Sequence, residues 1–107
     1  PSAFGVFCYC FLDQNSEKVQ AASIDGVAPT FETIAAGTYP VSRPLYVYVK
    51  KAHVGVIPGI AEYLAEFTSP RAFGPEGYLA DKGMIAMPEA ERAKYRSAAL
   101  ALTPLAM

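Results

Sequence analysis

The residues with the widest chemical repertoire are scattered along the chain. His53 is the single histidine and follows Lys50 and Lys51 just past a run of strand-forming residues, a position where a general base could sit. No acid, base and nucleophile can be grouped around it, and no serine lies in a G-x-S-x-G elbow. Cys8 or Cys10 would make a nucleophile–base pair with His53 by residue type only. A histidine exposed beyond a strand end is the plainer reading, and no enzymatic activity is expected. One histidine and two cysteines cannot close a structural zinc site, so neither metal nor other cofactor is expected. On a strand, Cys8 and Cys10 would point to one face, poorly placed to bond to each other, and they read as two small buried thiols.

Glu62 and Glu66 stand at i, i+4, a spacing able to hold a metal or pass a proton, but they fall opposite an apolar stripe and read as a solvated helix face. Gly74, Gly77 and Gly83 match neither the phosphate loop of nucleotide-binding proteins nor the dinucleotide fingerprint, and serve as turn residues and a helix stop. Ser42 and Arg43 form the one pairing with anion chemistry, a hydroxyl donor beside a planar fork suited to two phosphate oxygens. Neighbours in an extended segment project in opposite directions, which favours a structural role for Arg43, paired with a carboxylate or carbonyl.

The elements that must position these groups follow from patterning. Residues 5–12 alternate, with Phe7, Tyr9 and Phe11 on one face and Val6, Cys8, Cys10 and Leu12 on the other, as a strand covered on both sides. Val19 to Ile24 reads as a second strand ending at the Asp25-Gly26 turn. Thr30 caps a helix of barely two turns that Gly37 stops. Leu45 to Lys50 is the clearest strand: Leu45, Val47 and Val49 face one way, Tyr46 and Tyr48 the other. Pro58 starts a helix with Ile60, Tyr63, Leu64 and Phe67 on one stripe, bounded by Pro70. Short helical turns separated by bends follow, and a last helix begins near Pro88 and runs to about Leu102.

Strand, strand, helix, strand, helix, short helices, helix is an α/β order with fewer strands than a usual sheet, so further strands are expected outside these residues. The 107 residues allow one domain, expected to be compact and to bury roughly 60–70% of its unfolded surface. Nine basic against ten acidic side chains give a net charge of −1, which supplies no field to attract nucleic acid or an anionic membrane. No apolar run approaches the roughly 20 residues of a membrane span, and no signal segment is apparent at the start. Opening at Pro1 within an aromatic run is read as a truncated or processed product.

The runs IDGVAPTFETIAAGTYPVSRPLYVYVKKAH, PGIAEYLAEFTS and GPEGYLADKGMIAMPEAER together resemble the C-terminal segment of PstS-like phosphate-binding proteins of ABC uptake systems, from about Gly5 to about Leu102. The resemblance implies a type II periplasmic-binding-protein fold: two α/β lobes joined by a hinge, with inorganic phosphate held between them. Residues 1–107 would be the return of the chain from the hinge that completes the first lobe as a small sheet flanked by helices. It further implies a periplasmic or cell-envelope location and a membrane permease as partner. The family's phosphate ligands lie mainly at earlier turns and helix N-termini with no counterpart here, so Ser42 and Arg43 remain the candidates. The expected function is scaffold and hinge of a phosphate receptor, with self-association of the isolated segment through uncovered strands. The alternative is a small interaction or oligomerisation domain acting alone, without ligand.

Overall fold

A computed structural model describes residues 3–106. Five short α-helices carry the regular structure: α1 Tyr9–Gln14, α2 Phe31–Ala35, α3 Ile60–Phe67, α4 Pro70–Phe73 and α5 Glu89–Leu100. Single 3₁₀ turns occupy Lys51–His53 and Ala80–Lys82. Among the described residues no strand forms, so the small sheet and its three expected strands are not found.

The three expected strands fail in different ways, the first by turning helical and the other two by lacking a partner backbone. In the first, the chain from Tyr9 onward turns helical instead. In the second, only Ile24 and Val27 pair, exchanging two backbone hydrogen bonds of 2.9 Å around Asp25 and Gly26. Both central residues have positive φ, 50° and 78°, the two-residue hairpin turn that an Asp-Gly dipeptide favours, but no ladder extends from it. In the third, the N–H groups of Leu45 to Val49 donate to no backbone carbonyl among the described residues. Tyr46 and Tyr48 nevertheless keep to one side as the alternation requires, their ring centroids 6.1 Å apart.

Helices were less dependent on partners, because their hydrogen bonds close within the segment. Thr30 caps α2 as expected. Its Oγ1 accepts from the Thr33 N–H at 3.2 Å, and the Thr30 N–H donates to Thr33 Oγ1 at 2.9 Å. Glu32 in the first turn has its carboxyl pKa lowered by its own backbone N–H and by the Thr30 hydroxyl. α3 begins at Ile60, two residues beyond the Pro58 start that the sequence favours, because Gly59, with φ of 88°, breaks the chain first. α5 fills the expected last helix, with Glu89 and Glu91 in its first turn.

The tightest packing lies around α4. α3 packs on α4 and α5, and Arg96 on α5 donates through Nη1 to the Ala65 carbonyl near the end of α3 at 3.1 Å. Ser69 caps α4, and the turn Gly74–Gly77 folds the chain back so that the Tyr78 and Leu79 N–H groups reach the Arg71 and Ala72 carbonyls at 3.1 Å each. Ala72 is the one buried apolar side chain and Thr68 the one buried polar side chain among the described residues.

Elsewhere the expectation of a compact body fails. The radius of gyration is 16.6 Å, against about 13 Å for a compact domain of this length. The accessible surface is 8242 Å², against about 5,800 Å² for a folded monomer of this size, so only about half the unfolded surface is buried.

Gly77 is where the fold can be tested. A Cβ there would collide with the carbonyl groups of Arg71 and Ala72. Gly77→Ala is expected to loosen the turn by about 1–3 kcal/mol, speeding hydrogen exchange at the Tyr78 and Leu79 amides by about 5- to 150-fold. Unchanged exchange at those two amides would contradict this account of the packing.

Candidate functional site

The chemistry-bearing residues are held apart by the path of the backbone. After the extended segment ending at Lys50, the 3₁₀ turn closes with the His53 N–H on the Lys50 carbonyl at 2.9 Å. The Val56 and Ile57 N–H groups then return to the His53 carbonyl at 3.1 and 2.9 Å, and Gly59 admits α3. This reversal sets the start of α3 beside Tyr48, Lys50 and His53, forming an open groove of about 520 Å³ also bordered by Ile60 and Tyr63.

Within that groove one ammonium and one imidazole stand near the first turn of an eight-residue helix. Lys50 and His53 are both exposed, so any hydrogen bond they offered an anion would replace one to water at small net gain. Among the described residues no carboxylate, cysteine or serine lines the groove, so His53 has neither a carboxylate to orient it nor a serine or cysteine to activate.

The other candidates lie outside it. Ser42 donates its hydroxyl to the Tyr39 carbonyl at 2.5 Å, closing a turn ahead of Pro44. Arg43 is exposed and makes no side-chain hydrogen bond or ion pair among the described residues, so the carboxylate or carbonyl partner expected for it is not found. Glu62 stays on the exposed side of α3, whereas Glu66 accepts from Nε and Nη2 of Arg71 at 3.2 and 2.9 Å through one oxygen. A solvent-facing pair of this kind contributes at most about 1 kcal/mol.

Cys8 and Cys10 overturn their sequence reading. They are neither strand neighbours nor two buried thiols: Cys8 is the exposed residue preceding α1, Cys10 lies in its first turn, and the two are joined as a disulfide with Cα atoms 5.4 Å apart. Helical winding draws second neighbours closer than a strand does, and the pairing depends on it.

Sequence reasoning also missed the inner face of α5. Arg92 donates through Nε to the Met87 carbonyl at 2.9 Å, and Arg96 reaches α3. Arg92, Arg96 and Ala99 recur at i, i+4 and i+7, but a face built partly of arginine gives no apolar signal. One tyrosine of this helix also acts on the extended segment: Tyr95 is the main influence on the phenol of Tyr46.

The neighbouring Tyr95 phenol raises the Tyr46 pKa above its ordinary 10.0, with slight burial and Glu91 adding to the rise. A raised acid pKa means that the neutral phenol is favoured in the folded chain, so its stabilisation is full below the ordinary value and is lost as pH rises through the raised one. In an ultraviolet titration, Tyr46→Phe is expected to remove a phenol ionising later than the ordinary value. Loss of an ordinary phenol instead would show that Tyr95 does not act on Tyr46.

The comparisons with known proteins bear on the whole segment rather than on the groove. The profile of the PBP superfamily domain matches residues 5–71. The phosphate-binding protein PstS of Staphylococcus saprophyticus is 26% identical over 98 residues, covering 87% of this chain and 30% of that protein. PstS of Staphylococcus haemolyticus is 31% identical over 90 residues, 79% of this chain and 27% of that protein. PstS of Bacillus subtilis is 34% identical over 80 residues, 74% of this chain and 26% of that protein. The chain therefore spans less than a third of the length of the curated relatives it matches. No solved structure matches it.

Proposed function

Since the chain belongs to the PBP superfamily, we propose that it is one segment of a phosphate-binding receptor serving an ABC-type uptake system. The observation that carries this reading is the alignment itself. It runs along 74–87% of this chain in three phosphate-binding relatives but along only 26–30% of those proteins. In this reading residues 1–107 complete the first of two lobes after the chain returns from the hinge, and act as scaffold rather than as enzyme. The receptor works outside the cytoplasmic membrane and passes inorganic phosphate to a permease. No helix among the described residues is long and apolar enough to cross a membrane.

The dispersed side chains support a scaffold role. A phosphate receptor of high affinity encloses the anion among fixed donors in a site closed to water, and the groove at Lys50 and His53 is open. Ser42 is already engaged at Tyr39. Arg43 is assigned to the junction between lobes, where its carboxylate or carbonyl partner belongs to the remainder of the receptor.

Calorimetric titration tests the assignment. The isolated chain is expected to bind phosphate no more tightly than about 10 μM, and Arg43→Ala in the whole receptor to weaken binding by less than about 100-fold. Tighter binding by the chain alone, or a larger loss in the variant at unchanged melting temperature, would place the phosphate donors within this segment.

The same reading explains the uncovered apolar surface. Leu45, Val47 and Tyr48 expose 61, 48 and 72% of their surface, and Phe7 and Phe11 nearly half. Apolar groups beside unpaired backbone favour pairing with a second copy when the natural cover is absent. Light scattering across a concentration series is expected to give a mass that rises above that of the monomer; a constant monomer mass would rule self-association out.

A further inference from the structure

The segment 5–12 carries two incompatible instructions. Its alternation is that of a strand, yet from Tyr9 it is helical, and Phe7 and Phe11 are brought edge to face with centroids 5.0 Å apart. The disulfide decides between the two. Its Cα separation of 5.4 Å is that of second neighbours on a helix, about 5.4 Å from helical rise and radius. On a strand the same residues stand about 6.6 Å apart with parallel Cα–Cβ bonds, far from the roughly 3.5–4.5 Å between Cβ atoms that a disulfide requires. The bond and the strand therefore exclude each other.

The linked turn is also held in place. Gly83 has φ of 80° and abuts Cys10 so closely that a Cβ on Gly83 would overlap the Cβ and Cα of Cys10. Cys8 is exposed, so a reductant can reach its sulfur, and with only two cysteines in the chain no other thiol competes for either partner.

We propose that the Cys8–Cys10 disulfide is a redox-operated lock that keeps residues 9–14 helical against Gly83 and, when reduced, releases residues 5–12 to the extended form their alternation encodes. In the reduction, one thiolate of a dithiol attacks Cys8 Sγ, the bond to Cys10 breaks, and Cys10 leaves as a thiolate that takes a proton. The second thiolate of the reductant then displaces Cys8, which is protonated in turn, and the reductant closes to its own disulfide. Two electrons and two protons pass to the protein. The extended segment can then be accepted by the edge of a sheet, which the helical form cannot. The lock does not depend on phosphate being the ligand.

The test compares the full chain before and after treatment with dithiothreitol. Thiol titration is expected to find no free thiol before treatment and two afterwards. Amide exchange at Phe11, Leu12 and Asn15, whose N–H groups bond to Cys8 and Leu12 carbonyls, is expected to quicken at least tenfold on reduction, while Tyr78 and Leu79 stay unchanged. A Cys8→Ser, Cys10→Ser double variant should show the fast pattern with or without reductant. Two free thiols in the untreated, air-oxidised chain, or identical exchange in the two redox states, would overturn the proposal.

Discussion

The return of the backbone at Gly74–Gly77 is the contact on which the packed part of this chain depends. It is made by main-chain groups, Tyr78 and Leu79 on the carbonyls of Arg71 and Ala72, and leaves no space for a side chain at its centre. Because α3 packs on α4 as well as on α5, this turn supports the one region among the described residues where a side chain is fully removed from water. Away from it, order is mainly local: a cap at Thr30, a two-residue hairpin turn at Asp25-Gly26 and a helical turn held by a disulfide and abutting Gly83. Such elements persist by closing their own hydrogen bonds, not by sharing a core.

The distinction between local and shared hydrogen bonding explains what could be read from the residues. Thr30, Gly37 and Pro88 marked helix ends correctly because a cap or break acts within a turn of itself. The alternation in Leu45 to Lys50 was equally clear, and the side-by-side rings of Tyr46 and Tyr48 keep its imprint, but alternation specifies only which faces a strand would present. Whether one forms depends on a neighbouring backbone, which sequence periodicity does not report. The Cys8–Cys10 link is hidden for a related reason: alternation sets both residues on one face of a strand, where their Cβ atoms would stand too far apart to bond.

The candidate site was legible in kind more than in place. The residue types mark Ser42 and Arg43 for anion chemistry and His53 for proton chemistry, but the structure keeps them apart and sets His53 beside Lys50 in an exposed groove. The resemblance to phosphate-binding proteins rests on long runs of ordinary residues, and the matching profile covers residues 5–71 as a stretch of chain rather than as a constellation of ligands. Family membership and the location of a binding site are therefore separate findings here, the first carried by the sequence match along residues 5–71 and the second requiring donors that converge.

The outline of the molecule has a practical consequence for anyone handling it. Its principal extents are 54 × 23 × 23 Å, more than twice as long as wide. A rod of that form meets more friction than a sphere of equal mass, so it leaves a gel-filtration column early and sediments slowly. Elution volume alone would report a single copy as something larger. Stoichiometry for this chain has to come from a method that weighs the particle without assuming its shape, and a diffusion coefficient becomes informative only when paired with that mass.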